Sequence, residues 1–253
     1  MPRASGMLAR MVDVRTPVLQ ATLSRRLLIA FRLEPEASVY LVPAPFSLLL
    51  VHGFAVGCIS LDRVSGLRPR GLPAATGLGV EHAAHRIAVS WNQGGSVATG
   101  FFVVARHSSS RLTVRVGDRL FPGEHDRATF DVTDQGQELR VAFESGDARC
   151  SVDASVVTAA DLGGSELFAS TDEAWRFFRR GAVSYSLRRR GGVLDGLDAL
   201  TKESGVQAAA IEKVSSSVFP LDAAIPDSAL VMRNVPVEWR AIPPPARGVQ
   251  GPG

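Results

Sequence analysis

Apolar and polar residues alternate in short runs along most of the chain, a period of two that marks strands. Arg25 to Leu33 predicts a first strand, and Glu34-Pro35-Glu36 opens a short helix with proline in its first turn. Ser47 to Val51 and Phe54 to Leu61 flank His52-Gly53, where Gly53 can supply the positive φ of a tight hairpin turn. Gly66 to Gly79 reads as a loop rich in proline and glycine. Strands over 82–91 and 97–107, joined by Asn92-Gln93-Gly94-Gly95, predict a second hairpin. Asp126 to Thr133 and Glu138 to Glu144 predict a third, across Asp134-Gln135-Gly136-Gln137, and Ala148 to Val157 extends that meander. Ala182 to Leu187, Val206 to Phe219 and Ala229 to Trp239 read as later strands, with Pro236 marking an edge or an end.

The clearest helical pattern is Ser170 to Arg180. Ser170 and Glu173 form a capping box, Ala174, Trp175, Phe177 and Phe178 give an apolar face, and Gly181 closes the end. Arg111 to Leu120 is weakly helical, since its β-branched residues oppose the pattern, and Asp195 to Glu203 reads as helix-like. Many strands with a few helices predict a mainly β fold: a curved antiparallel sheet or barrel, with helices packed outside it or closing one end. The 253 residues fit a single domain over 23–241, preceded by a flexible segment over 1–22 and followed by a disordered Pro/Gly-rich tail over 242–253.

Composition narrows the function classes. A hydrophobic share of 45% and a charged share of 21% are those of a globular protein with a sizeable core. The net charge of +3 is spread along the chain, and Arg188-Arg189-Arg190 beside Gly191-Gly192 reads as a solvated hairpin end. No basic stripe is interleaved with aromatic residues, so nucleic acid is not an expected partner. The longest apolar run, Phe46 to Leu61, is broken by His52-Gly53 and is too short for a membrane helix of about 20 residues. Met1 to Arg15 lacks the apolar core of a secretory signal, so a cytoplasmic protein is expected. Cys58 and Cys150 make neither a disulfide framework nor a zinc motif; both read as buried thiols, and no metal or cofactor is expected. Lys202 and Lys213 are the only lysines, so amine chemistry has two side-chain candidates.

Several stretches, in order over residues 25–240, together resemble the acetoacetate decarboxylase-like superfamily, and within it the YqjF-like branch. They are the crossing loop Arg68-Pro69-Arg70-Gly71-Leu72-Pro73, the strand Glu81 to Val89, the aromatic-rich strand Gly100 to His107, Arg119-Leu120-Phe121-Pro122 with His125, and Phe219-Pro220-Leu221. The resemblance implies a mostly antiparallel, cone-like β-barrel around a small-molecule cavity, and it allows a homo-oligomer. In the decarboxylase a central lysine forms a Schiff base, with a pKa depressed by a neighbouring cation. Here Val80 to Asp131 contains no lysine. The late strand carries Ser215 and Ser216 where the branch often has paired histidines, and Ala83 stands where a polar residue is expected.

Strand alternation then proposes the site. Glu81, Ala83, His85, Ile87, Val89 and Trp91 share one face, expected to point inward, which makes Glu81 and His85 a candidate acid/base pair and Trp91 a ligand contact. His82 and His85 should point to opposite faces, so they are not expected to share a metal. Phe101, Val103, Ala105 and His107 should share a face, bringing His107 towards His85 across the hairpin. His125 matches the branch's histidine and is a further ligand-binding candidate. Lys213, with Ile211, Ser215, Ser217 and Phe219 on its face, would be a nucleophile if that face lined the cavity. Three readings stay open: a small-molecule (carbonyl or carboxylate) cavity protein, with acid/base catalysis giving lyase-like activity on a carbonyl compound; a Schiff-base lyase or decarboxylase using Lys213; and a non-catalytic ligand-binding or oligomeric interaction protein.

Overall fold

The computed structural model describes residues 17–120, 123–180, 182–188, 192–201, 205–219 and 223–245, with the side chains of 116–120 left aside. The order is β1 (Leu19–Leu33), α1 (Pro35–Ser38), β2 (Ser47–Leu48), β3 (Leu50–Val51), β4 (Phe54–Pro69), β5 (Leu78–Gln93) and β6 (Ser96–Ser108). Then come α2 (Arg111–Leu120), β7 (Asp126–Asp134), β8 (Glu138–Ser145), β9 (Ser151–Ala159), α3 (Thr171–Arg180), β10 (Val183–Leu187), β11 (Leu194–Thr201), β12 (Val206–Ser216) and β13 (Ala224–Ile242). All thirteen strands belong to one sheet.

That sheet is a band of five long strands, β13-β1-β4-β5-β6, which forks at both edges. The free edge of β13 pairs with β12 over Ala229 to Met232 and with β11 over Val237 to Ile242. The free edge of β6 pairs with β10 at Phe101 and Phe102 and with β7 at His107 and Ser108. One arm, β7-β8-β9-β12, closes a large ring with the band; the other, β10-β11, closes a small one. Pro236 sits in the gap at 233–236 between the two arms on β13, where a missing N–H costs no ladder bond. Asn234 beside it takes a positive φ of 57°, which helps the edge turn from one arm to the other.

Because the arms curl to opposite sides, both faces of the band are buried. Along β1, Leu27, Ile29, Phe31 and Leu33 enter the core of the large ring, whereas Leu28 and Ala30 enter that of the small ring. The small ring is closed by α3, whose Phe177 and Phe178 pack on Phe101. The Ser170 half of the predicted capping box is present, its Oγ accepting from the Glu173 N–H, while the Glu173 carboxylate accepts from the Ala169 N–H, one residue before the cap.

Three sequence expectations change. Strand β1 starts at Leu19 rather than Arg25, and β4 and β5 extend into the segment read as the loop 66–79. The helix-like stretch from Asp195 is strand β11, since pairing to β10 and β13 on its two edges overrides a weak local preference. Arg111–Leu120 is a helix, as its pattern weakly suggested. Among the described residues no helix is long and apolar enough to cross a membrane.

Candidate functional site

The interior of the small ring holds a cavity of about 100 Å³. A single water needs only about 10–15 Å³, so the space suits a small organic molecule. On the α3, β11 and β13 side its wall carries Trp175, Phe178, Leu197 and Trp239, with Arg179 at the end of α3. The opposite wall is charged: β1 supplies Arg26, β4 Asp62, β5 His82 and Arg86, β6 Arg106, and the segment before β7 His125.

The Arg26–Asp62 pair anchors this wall. Two parallel bonds join them, Nε to Oδ1 at 2.9 Å and Nη2 to Oδ2 at 2.8 Å, and Ser60 Oγ donates to Oδ2 at 2.9 Å. Burial works against both charges. The paired Arg26 outweighs it for Asp62, whose pKa falls below the usual carboxylate range, and Arg26 is raised in turn. This geometry is a bidentate arginine–carboxylate bridge.

Arg86 is different. Burial lowers its pKa, and among the described residues no carboxylate comes within ion-pair distance of it. Its Nε is buried without a hydrogen-bond partner, and its guanidinium lies over the Phe101 ring at 5.6 Å. Arg106 lies deeper; burial, then the nearby Arg86, brings its pKa down to about 10. It reaches Ser186 Oγ at 3.3 Å. A β-carbon on Gly123 would overlap Arg106 Nη1, so glycine, here with φ of 94°, is what lets the guanidinium lie there.

Two histidines complete the charged wall, with ring centroids 5.3 Å apart. Burial holds His82 neutral, at about 3, and His125 well below its ordinary value. His125 Nδ1 lies 3.1 Å from the Gly123 carbonyl, which must be the acceptor, so the proton sits on Nδ1 and Nε2 is the basic nitrogen. His82 Nε2 is buried with no hydrogen-bond partner among the described residues. The cavity therefore offers cations, neutral imidazole bases and a fixed carboxylate, a set suited to holding an anion and moving a proton beside it.

In comparisons with known proteins, no family model and no curated protein matches the chain. Solved structures do. An acetoacetate decarboxylase from Legionella pneumophila superposes with a TM-score of 0.59 at 12% identity, over 96% of this chain and 90% of its own. An acetoacetate decarboxylase-like enzyme from Sphingomonas wittichii gives 0.58 at 11% identity, over 96% and 98%. The enduracididine biosynthesis enzyme MppR, complexed with pyruvate, gives 0.59 at 10% identity, over 94% and 90%. The chain has the acetoacetate decarboxylase-like fold.

Within this fold the residues proposed from sequence separate. His125 is in the cavity wall. Glu81 is not: it lies on the other face of β5, bound to Arg25 at 2.6 Å and Arg63 at 3.5 Å. His85, on the same face, is fully buried in the large ring, where His107 does approach it, with centroids 6.5 Å apart. The inward face was read as one face of β5; both faces are interior, and the cavity is on the one carrying His82 and Arg86. Trp91 packs between Phe46 and Tyr185, away from the cavity. The condition set for Lys213, a face lining the cavity, is not met: its side chain is 63% exposed and pairs with Asp153 at 2.6 Å. Lys202, Phe121-Pro122 and Pro220-Leu221 lie outside the described residues. No lysine lines the cavity among the described residues.

Arg106 was missed because of a β-bulge. The register between β5 and β6 shifts between His85 and Arg86, so Val103 pairs with Arg86 and Ala105 with His85. The extra residue reverses the alternation along β6, so Val103 and Arg106 line the cavity together and His107 faces the large ring.

Proposed function

We propose that the small-ring cavity binds a small carboxylate that also carries a carbonyl group, and that His82 and His125 handle a proton on it. The carrying observation is Arg86 on the cavity wall, whose buried Nε has no hydrogen-bond partner and which makes no ion pair among the described residues, Asp62 acting on it only at longer range. A buried cation without an anion is costly, and a ligand carboxylate relieves that cost while gaining paired N–H donors. Arg106 adds a second positive charge beside it. The orphaned Nε2 of His82 and the basic Nε2 of His125 then supply acceptors for an acidic C–H or an enol O–H. MppR, which shares the fold, is known in complex with pyruvate, and that ligand class fits the charges here.

In this reading Glu81 has a supporting role: it anchors β1 to β5 through Arg25 from the far face. Covalent catalysis through Lys213 has no support in its exposed position. The colinear motifs keep the YqjF-like branch as the relative we favour within the superfamily.

The test is calorimetric titration of the full chain with pyruvate, acetoacetate and propionate. The keto acids should bind and propionate should bind less, and Arg86→Met should abolish both keto-acid signals. Equal binding by wild type and Arg86→Met would rule the site out. Deuterium exchange at the pyruvate methyl group, lost in the His82→Gln and His125→Gln variants, would establish proton transfer.

A further inference from the structure

The large ring has its own polar centre, unrelated to the cavity. His85, His107 and Cys150 are all buried, and one ring nitrogen from each histidine and the Cys150 sulfur lie within 4.8 Å of one another. The pairing of β5 with β6 sets Ala83 opposite His107 and His85 opposite Ala105, so the histidines are diagonal neighbours on one face. Phe143 packs against His107 at 4.9 Å and Phe219 against His85 at 5.4 Å, so aromatic walls fix both imidazoles. Cys150 ends the turn between β8 and β9, closed by its carbonyl accepting from the Ser145 N–H at 2.7 Å.

We infer that His85, His107 and Cys150 form a binding site for a borderline-soft divalent metal of the zinc type. Two imidazoles and a thiolate are a donor set that zinc accepts, with the fourth position left to water or a ligand. An independent feature points the same way. His85 Nε2 lies 3.0 Å from Ser216 Oγ, whereas its Nδ1, in a residue with no exposed surface, has no hydrogen-bond partner among the described residues. A buried imidazole nitrogen without a partner is uncommon, and a metal would satisfy it. Ser216 would then hold the ring's orientation from its other nitrogen, as a metal-bound histidine requires. Zinc–nitrogen bonds of about 2.0–2.1 Å and a zinc–sulfur bond of about 2.3 Å bring tetrahedral donors to roughly 3.5 Å apart. Loading therefore needs side-chain shifts of about 1 Å, which Cys150, at the end of a turn, can supply. The thiol gives its proton to water as the metal–sulfur bond forms, so the charges and protons balance.

Cobalt(II) titration of the full chain reads this directly. A thiolate-to-cobalt absorption band saturating at one metal per chain is expected, and zinc should displace it. Cys150→Ser should remove the band, Cys58→Ser should retain it, and His85→Gln or His107→Gln should weaken cobalt binding more than about tenfold. No band in the wild type, or an intact band in Cys150→Ser, overturns the site. Should Cys150→Ser fail to fold, maleimide labelling of the wild type decides: zinc should shield Cys150, and labelling at an unchanged rate would count against the proposal.

Discussion

His82 and His85 stand three residues apart on β5 and open into separate interiors, His82 into the charged cavity of the small ring and His85 into the aromatic core of the large one. Only a strand buried on both faces allows this. The five-stranded band thus serves as the shared wall of two compartments of different chemistry, one lined by Arg26, Arg86 and Arg106 and one holding His85, His107 and Cys150 among aromatic rings.

Both histidines are held neutral by burial, each at about 3 against an ordinary 6.5. The folded state thus binds fewer protons than the unfolded chain between those values, and stability falls as pH drops from about 6.5 towards 3. Each histidine contributes a slope of about 1.4 kcal/mol per pH unit inside that window. Urea unfolding at pH 7.5, 6 and 5 should show a falling midpoint, and the double variant His82→Gln/His85→Gln should make the fall shallower, with buried His125 supplying part of what remains. A wild-type midpoint that does not move across this range would show that the rings are already protonated or hydrated.

Arg86→Met removes a cation that makes no ion pair among the described residues and keeps an unbranched apolar stem in its place. Replacing buried charge by apolar volume is often neutral or stabilising. The melting temperature should hold or rise while affinity for pyruvate drops by at least about tenfold, the size of one charge-assisted contact. Calorimetry and a thermal melt on the same preparation separate the two effects; a collapse of stability alongside affinity would point to a structural role for Arg86.

Gly123→Ala tests the placement of Arg106. The new methyl would have to occupy the space of the Arg106 guanidinium, and the φ of 94° disfavours any side chain. Arg106 should swing away and the His125 hydrogen bond to the Gly123 carbonyl should loosen. We expect weaker pyruvate binding and a His125 side-chain resonance shifted in the NMR spectrum, whereas unchanged spectra would mean that the loop adjusts without moving either residue.

How much of this was legible follows from what period-two patterning encodes. The hairpins around Gly53, Gly94 and Gly136 and the α3 cap were readable because turn and cap chemistry are local. The order of motifs pointed to the fold class, whereas the approach of His107 to His85 depends on a register that alternation leaves open. The charged wall was not readable. Alternation tells which residues share a face but not which face meets a cavity, and on β5 both faces are apolar enough to be interior. The bulge opposite Arg86 inverted β6 beyond Val103, so no count along the sequence could bring Arg106 and Val103 to one side. Alternation leaves the face of Lys213 open between cavity and surface, and Asp153 on β9 pairs with it at the surface.

Two ion pairs of different burial should behave very differently. Arg26 and Asp62 are 13% and 4% exposed, whereas Lys213 and Asp153 are 63% and 25% exposed. Asp62→Asn leaves the Arg26 guanidinium buried without its counter-charge, at a cost of about 3–5 kcal/mol. In a chain of this size that corresponds to a melting temperature roughly 10 °C lower. Lys213→Ala breaks a solvent-screened pair worth about 0–1 kcal/mol, and should leave both the melt and pyruvate affinity unchanged. Thermal melts of the two variants side by side make the comparison. A large loss from Lys213→Ala would place that lysine in a role its exposed position does not suggest, and a silent Asp62→Asn would mean that Arg26 reaches another acceptor or solvent.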